Sequence, residues 1–290
     1  MTSVARSPLW LGAVAVLALG GTAQAGQVSL QQDRDVARMV SFGGSCRGCE
    51  LSGRNLAGAS FVGATFTDSN LVGANLRGAE LLGSNFSGSD FSRADLRGVS
   101  VMGADFTQAV FRDADLSYAD AQGVRFRDGD LRGVNLRESD LLGADFSGGD
   151  LRDGRFDVSE IFGANLQRVR ATGASFRDAD LTGADLTNGD FSGASFRDSN
   201  LSGARFGNAR VAGADFRDAD LRRADFRGTD LGRARNLTQA QLNTACGDSA
   251  TRVPRGLEVR VCRGGRPVMV IPARPPRPSP PPRDLVANGG

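Results

Sequence analysis

The sequence predicts an all-β solenoid built from four-sided coils. Three observations carry that prediction. From Leu51 to Leu231 every fifth residue is apolar, 37 positions holding 17 Leu, 15 Phe, 2 Val, 2 Ala and 1 Ile without a phase slip. Two residues before most of them stands a small side chain, 20 Ala, 6 Ser and 4 Gly among the same 37. Residues 20 apart also match: Phe66, Phe86, Phe106, Phe126 and Phe146 form one run, and Phe156, Phe176, Phe196 and Phe216 another. A period of five is neither 3.6 nor 2, so neither an amphipathic helix nor a flat strand explains it. A square coil does, with one pentapeptide per side and four per turn.

The residue before the central apolar position is usually Asp or Asn, as in Ala94-Asp95-Leu96, Ala104-Asp105-Phe106 and Ala184-Asp185-Leu186. This pattern resembles the pentapeptide-repeat family, whose consensus is A-(D/N)-L-x-x, over residues 46–235. The resemblance implies a right-handed quadrilateral β-helix with the central residue and the small residue both pointing inward. At one strand spacing per coil, about nine coils make a rod of about 45 Å.

Glycine follows the same register. Gly63, Gly83, Gly103, Gly123, Gly143, Gly163, Gly183 and Gly203 are 20 apart, which predicts type II turns along that corner, because the third turn position needs positive φ. The corner holding Tyr118, Glu138, Val158, Asp178, Asp198 and Asp218 is predicted to turn differently.

The ends read separately. Residues 1–25 fit a signal peptide: Arg6, an apolar run from Leu9 to Gly20, and Ala23-Gln24-Ala25 before a mature start at Gly26. The run is short for a membrane span, and an uncleaved anchor is the competing reading. No span is expected after its removal. Residues 26–45 are expected to cap the first coil, with Asp33 and Asp35 before helically spaced Val36, Met39 and Val40. Residues 236–263 are expected to cap the last coil through a short helix. Thr238-Gln239-Ala240-Gln241 fits a capping box, Leu242 and Ala245 continue it, and Gly247 stops it. Residues 264–290 carry most of the prolines and are expected to be disordered or polyproline II.

The four cysteines lie outside the array's interior. Cys246 and Cys262 are expected to pair across the cap. Cys46 and Cys49 form a C-x-x-C, for which a structural disulfide or cap staple is preferred to a redox motif because no thioredoxin-like βαβ pattern surrounds it.

Composition excludes more than it assigns. The chain has 35 basic and 33 acidic residues and no His, which argues against a general nucleic-acid binder and removes the commonest catalytic base. No nucleophile–base triad, P-loop, dinucleotide fingerprint or zinc spacing is present, so no catalytic, cofactor or metal residue is assigned. The aspartates recur singly beside Arg rather than as an oxygen cluster, which disfavours calcium.

Two outward columns are candidate interaction surfaces. Val62, Leu82, Met102, Gln122, Leu142 and Phe162 give a mainly apolar stripe, and Arg77, Arg97, Arg137, Arg177, Arg197 and Arg217 a basic column, the last three beside Asp178, Asp198 and Asp218, with which they are expected to form a solvated, mutually paired face. The leading expectation is a non-enzymatic periplasmic or secreted scaffold that binds a protein partner or itself through the stripe. A second is an envelope or wall protein holding anionic polymer through the Arg column and the basic tail. A third follows from the resemblance, since some family members are DNA-mimicking gyrase binders. The export signal and a rod with 24 Arg against 28 acids depart from that pattern.

Overall fold

In a computed structural model, residues 44–262 are described. The signal segment, the expected N-terminal helix around Val36, Met39 and Val40, and the tail from 264 lie outside them. Each pentapeptide contributes one side. Backbone bridges join residues 20 apart in parallel from Ser45↔Thr65 to Asp215↔Arg235. Leu51 N–H donates to the Asn70 carbonyl at 2.7 Å, and Asn70 N–H to the Cys49 carbonyl at 2.8 Å. The same pair of bonds repeats on every side, so the ladder satisfies the backbone that faces neighbouring coils.

All 37 central residues are buried, together with most of the small residues two positions earlier. Phe rings fill the axis by two contacts. Along a column they stack, as in Phe91 and Phe111 at 4.8 Å. Between adjacent sides they meet edge to face, as in Phe106 and Phe111 at 5.2 Å. Both are favoured ring geometries.

The preference for Asp or Asn before the central residue has a local cause. Its side chain accepts the N–H two residues on, closing the corner: Ser92 to Asp90 at 2.8 Å, Thr182 to Asp180 at 2.9 Å, Val72 to Asn70 at 3.1 Å. This is the Asx-turn bond that these two residues make readily. The recurring aspartates therefore serve the corners and the ion pairs beside them.

One turn expectation is overturned. Tyr118, Glu138, Val158, Asp178, Asp198 and Asp218 all have positive φ, between 54° and 63°. The corners from Gly48 to Gly228 are thus all left-handed at the third turn position, glycine or not, and only the last, at Arg233, departs. The interlocked ladder on either side dictates the corner geometry, and the local preference of the side chain yields to it. Val158, at φ 63°, is the most strained of the set, because β-branched residues rarely enter this region.

At the C-terminal end the ladder continues into the cap: Asp225 pairs with Cys246 and Asp230 with Arg252. Helix α1 spans Gln239–Leu242, with Thr238 as N-cap and a complete capping box to Gln241. Gln241 Nε2 also donates to the Phe216 and Ala219 carbonyls at 2.8 and 2.9 Å, and Thr251 Oγ1 to that of Phe226 at 2.9 Å. Leu242 and Ala245 are buried. The helix is shorter than expected and stops at Asn243, so Ala245 lies beyond it. Gly247 is not its stop: it donates to Arg260 and accepts from Cys262, each at 2.8 Å. Pairing with the last coil takes the chain before a further helical turn can form.

Cys246 and Cys262 are bonded, with Cα atoms 4.9 Å apart, as are Cys46 and Cys49 at 5.9 Å. Cys49 occupies the small inward position of the first side and is buried.

Candidate functional site

The four sides of the rod are not alike. One is formed by residues 58–62, 78–82, 98–102 and so on, at intervals of 20 up to 218–222. Its eight segments up to 198–202 contain Glu80, Asp120, Glu138, Asp140, Glu160, Asp178, Asp180 and Asp198 and no Lys or Arg; the ninth adds Asp218, Asp220 and Arg222, which pairs with Asp220 at 2.5 Å. The same side carries five of the six exposed large apolar residues of the described chain: Val62 (49%), Met102 (36%), Tyr118 (61%), Leu142 (36%) and Val158 (49%). The predicted stripe is therefore one edge of a broader surface. Leu82, Gln122 and Phe162 are half-buried along that edge. Tyr118 and Val158 stand at the opposite edge in line with Glu138, Asp178 and Asp198, and Glu80, Asp120, Asp140, Glu160 and Asp180 run between the edges.

Local contacts tie this surface together. Tyr118 Oη donates to Glu138 Oε1 at 3.2 Å and Gln122 Nε2 to Asp140 Oδ2 at 2.8 Å. A shallow hollow is lined by Tyr118, Asp120, Glu138, Asp140, Val158 and Glu160. Within it Asp120 Oδ1 is buried without a hydrogen-bond partner, an acceptor left for a donor that the fold does not supply.

The basic column is more self-contained. Arg97 pairs with Asp95 at 2.5 Å and approaches Asp115 at 3.9 Å, and Arg137 approaches Asp157 at 3.8 Å. Arg177 Nε donates to Ser195 Oγ at 3.3 Å. Among the described residues no ion pair links Arg177, Arg197 or Arg217 to Asp178, Asp198 or Asp218, contrary to the expected pairing. Those carboxylates stand at the corner and belong to the neighbouring, acidic side. Asp215, two residues before Arg217, accepts its backbone N–H at 3.1 Å, while Ser175 and Ser195 hold the equivalent positions before Arg177 and Arg197. Arg197 Nε is buried without a partner.

Elsewhere Asp and Arg pair densely. Arg132 and Arg112 both hold Asp130, at 2.8 and 2.6 Å. Burial pushes its carboxyl up, but these guanidinium bonds outweigh it and hold the pKa at about 2. Asp225, Cys246 and Cys262 cluster closely enough for a metal site, but both sulfurs are spent in the disulfide.

The family model described as pentapeptide repeats matches in eight copies, over residues 45–81, 69–108, 89–128, 114–153, 159–198 and 199–235. The chain belongs to the pentapeptide-repeat family. Its fold is that family's right-handed quadrilateral β-helix. Among solved structures, QnrB1, a plasmid-mediated fluoroquinolone resistance protein, shares 19% identity over 72% of this chain and 91% of its own, with a TM-score of 0.50. HetL, a regulator of heterocyst differentiation from Nostoc, shares 24% over 73% and 90%, at 0.35. A pentapeptide-repeat protein of the Arabidopsis thaliana thylakoid lumen shares 34% over 43% and 82%, at 0.29. The likeness to QnrB1 speaks to fold alone. No curated protein is significantly similar in sequence. Pentapeptide-repeat proteins are generally structural or interaction proteins. Among the described residues no helix is long and apolar enough to cross a membrane.

Proposed function

We propose that this protein is an exported, non-enzymatic scaffold whose acidic and apolar side holds a cationic, partly apolar segment of a partner protein. One observation carries the reading: over eight successive coils a single side holds eight carboxylates and no basic residue, together with five of the six exposed large apolar side chains of the described residues. Exposed apolar surface of this extent marks an interaction site, and its charge selects the partner by complementarity. A symmetric dimer across the same side would set carboxylates against carboxylates, which disfavours self-association there. The negative charge of this side is interleaved with apolar groups, which suits a protein segment better than mimicry of a phosphate ladder. The ion pairs of Arg97 and Arg137 leave the basic column less available to anionic polymer.

Export rests on the signal-like residues 1–25, and two disulfides suit an oxidising compartment. Fractionation followed by N-terminal sequencing tests it: a periplasmic or secreted chain beginning at Gly26 supports export, and a cytoplasmic chain beginning at Met1 removes it.

Partner binding is tested by crosslinked recovery from the host envelope with wild type and a Leu82→Glu, Leu142→Glu, Phe162→Glu variant. The reading expects a specific cationic protein with wild type and none with the variant. Recovery of anionic polymer that collapses with salt and ignores these substitutions would favour the wall-binding reading instead.

A further inference from the structure

Resting on that reading, we propose that the first occupant of the acidic side is the chain's own tail, residues 263–283, so that a partner must displace it. Four observations converge. The first is where the tail begins. Cys262 is fixed by its disulfide to Cys246 and by N–H donation to Gly247 at 2.8 Å, and its sulfur lies 3.6 Å from Asp225 Oδ1. The tail therefore starts at one point on the rod wall, not at the end of a loose arm.

The second is the path. Asp225 lines a groove of about 1180 Å³ that reaches along the rod past Ser202 and Thr182 to Phe162, where Asp180, Asp185, Asp225 and Asp248 stand among Arg205, Arg222, Arg223 and Arg227. Phe162 is the last apolar residue of the stripe, and the stripe borders the acidic side.

The third is complementarity of composition. From residue 263 onward the tail has five Arg (Arg263, Arg266, Arg274, Arg277, Arg283) against Asp284 alone. Between Pro267 and Pro272 it carries the apolar run Val268-Met269-Val270-Ile271. A basic segment with one apolar block matches a surface of carboxylates with an apolar edge.

The fourth is reach. An extended chain advances about 3.3 Å per residue, and each coil occupies about 4.8 Å. Arg266 then comes level with Glu160 and Phe162, some three coils back from Asp225. Val268 to Ile271 span about 20–30 Å from Cys262, which brings them level with Leu142 through Met102. Arg274 reaches the level of Glu80. The apolar block can thus come level with the apolar edge, and Arg274 with any carboxylate back to Glu80.

The chain contains no lysine, which allows a clean test in the full mature protein. Arg274→Lys introduces a single ε-amine, and a zero-length carbodiimide then joins it to any carboxylate it touches. Mass mapping separates this product from any made by the N-terminal amine. The proposal expects intramolecular crosslinks to Glu80, Asp120, Glu138 or Asp140. It expects none to Asp90, Asp95, Asp105, Asp115 or Asp130, which stand at the same heights on other sides. The crosslinks should be lost at about 1 M salt, where screening is strong, and in a Leu142→Ser, Phe162→Ser background. Crosslinks scattered over all sides, crosslinks only between two copies, or none at all would each overturn it. If the tail fails this test while envelope capture still depends on Leu142 and Phe162, the partner reading survives alone.

Discussion

Tyr118 and Glu138 occupy equivalent corners of successive coils, both with positive φ, and the tyrosine hydroxyl donates to the carboxylate across the 3.2 Å between them. Neither residue type favours that backbone region. Their position there reflects a rod whose corners are set by the ladder, and whose corner side chains are left free to shape the surface.

Val158 gives the sharpest test of this point. It sits at φ 63° with half its surface exposed and no core role. A left-handed residue with a Cβ costs about 1–2 kcal/mol, so Val158→Gly should stabilise the rod by about 1 kcal/mol, less a few tenths for glycine's extra chain entropy. The urea midpoint of the two proteins measures this, and a lower midpoint for the glycine variant would contradict it.

In the axis the opposite holds. Phe106 is fully buried and meets Phe86, Phe91, Phe111 and Phe126. Phe106→Ala should cost about 3–5 kcal/mol. Because a solenoid's stability is close to a nearest-neighbour sum, hydrogen exchange should rise in the coils around residues 86–126 before it rises in the cap.

Acid should act through the paired aspartates. The folded pKa of Asp130, about 2, lies below the usual aspartate value. Its stabilising contribution is therefore complete above pH 4 and is lost as pH falls from about 4 through about 2. In urea titrations across that window, wild type should lose stability more steeply than Asp130→Asn, and the two should converge near pH 2. A difference that does not change with pH would show that the Arg112 and Arg132 pairings carry no linkage.

The cap depends on its disulfide. Cys246 and Cys262 close a 15-residue loop, worth about 3 kcal/mol in the chain-entropy view. Reduction should first expose the last coil's backbone, seen as faster exchange at Arg223, Phe226 and Leu231, whose N–H groups donate to the Thr244, Cys246 and Arg252 carbonyls of the cap.

Much of this was legible in the sequence because the repeat is in phase throughout. The period of five and the match at 20 give the coil, the inward columns and the extent of the array. The Thr238 capping box could be read because its bonds are local. The corners at Tyr118 and Val158 could not, since glycine marks where positive φ is easy and not every place where the fold imposes it. The helix after Thr238 was overestimated because its end is set by pairing with the last coil, a contact between distant residues. The breadth of the acidic side was missed for a different reason. Reading Val62 to Phe162 as a lone column hid the fact that Tyr118, Asp120 and Gln122 lie across one flat side. The signal was present: no arginine occurs in any segment from 58–62 to 198–202.

The central claim is that this side is kept for binding and not merely tolerated. The most direct measurement removes its apolar groups without adding charge, in a Tyr118→Ser, Leu142→Ser, Val158→Gly, Phe162→Ser variant, and follows thermal unfolding and crosslinked envelope capture in the same preparation. The account predicts a folded rod of nearly unchanged midpoint that no longer recovers the cationic protein captured by wild type. Undiminished recovery of that protein by the folded variant would contradict it.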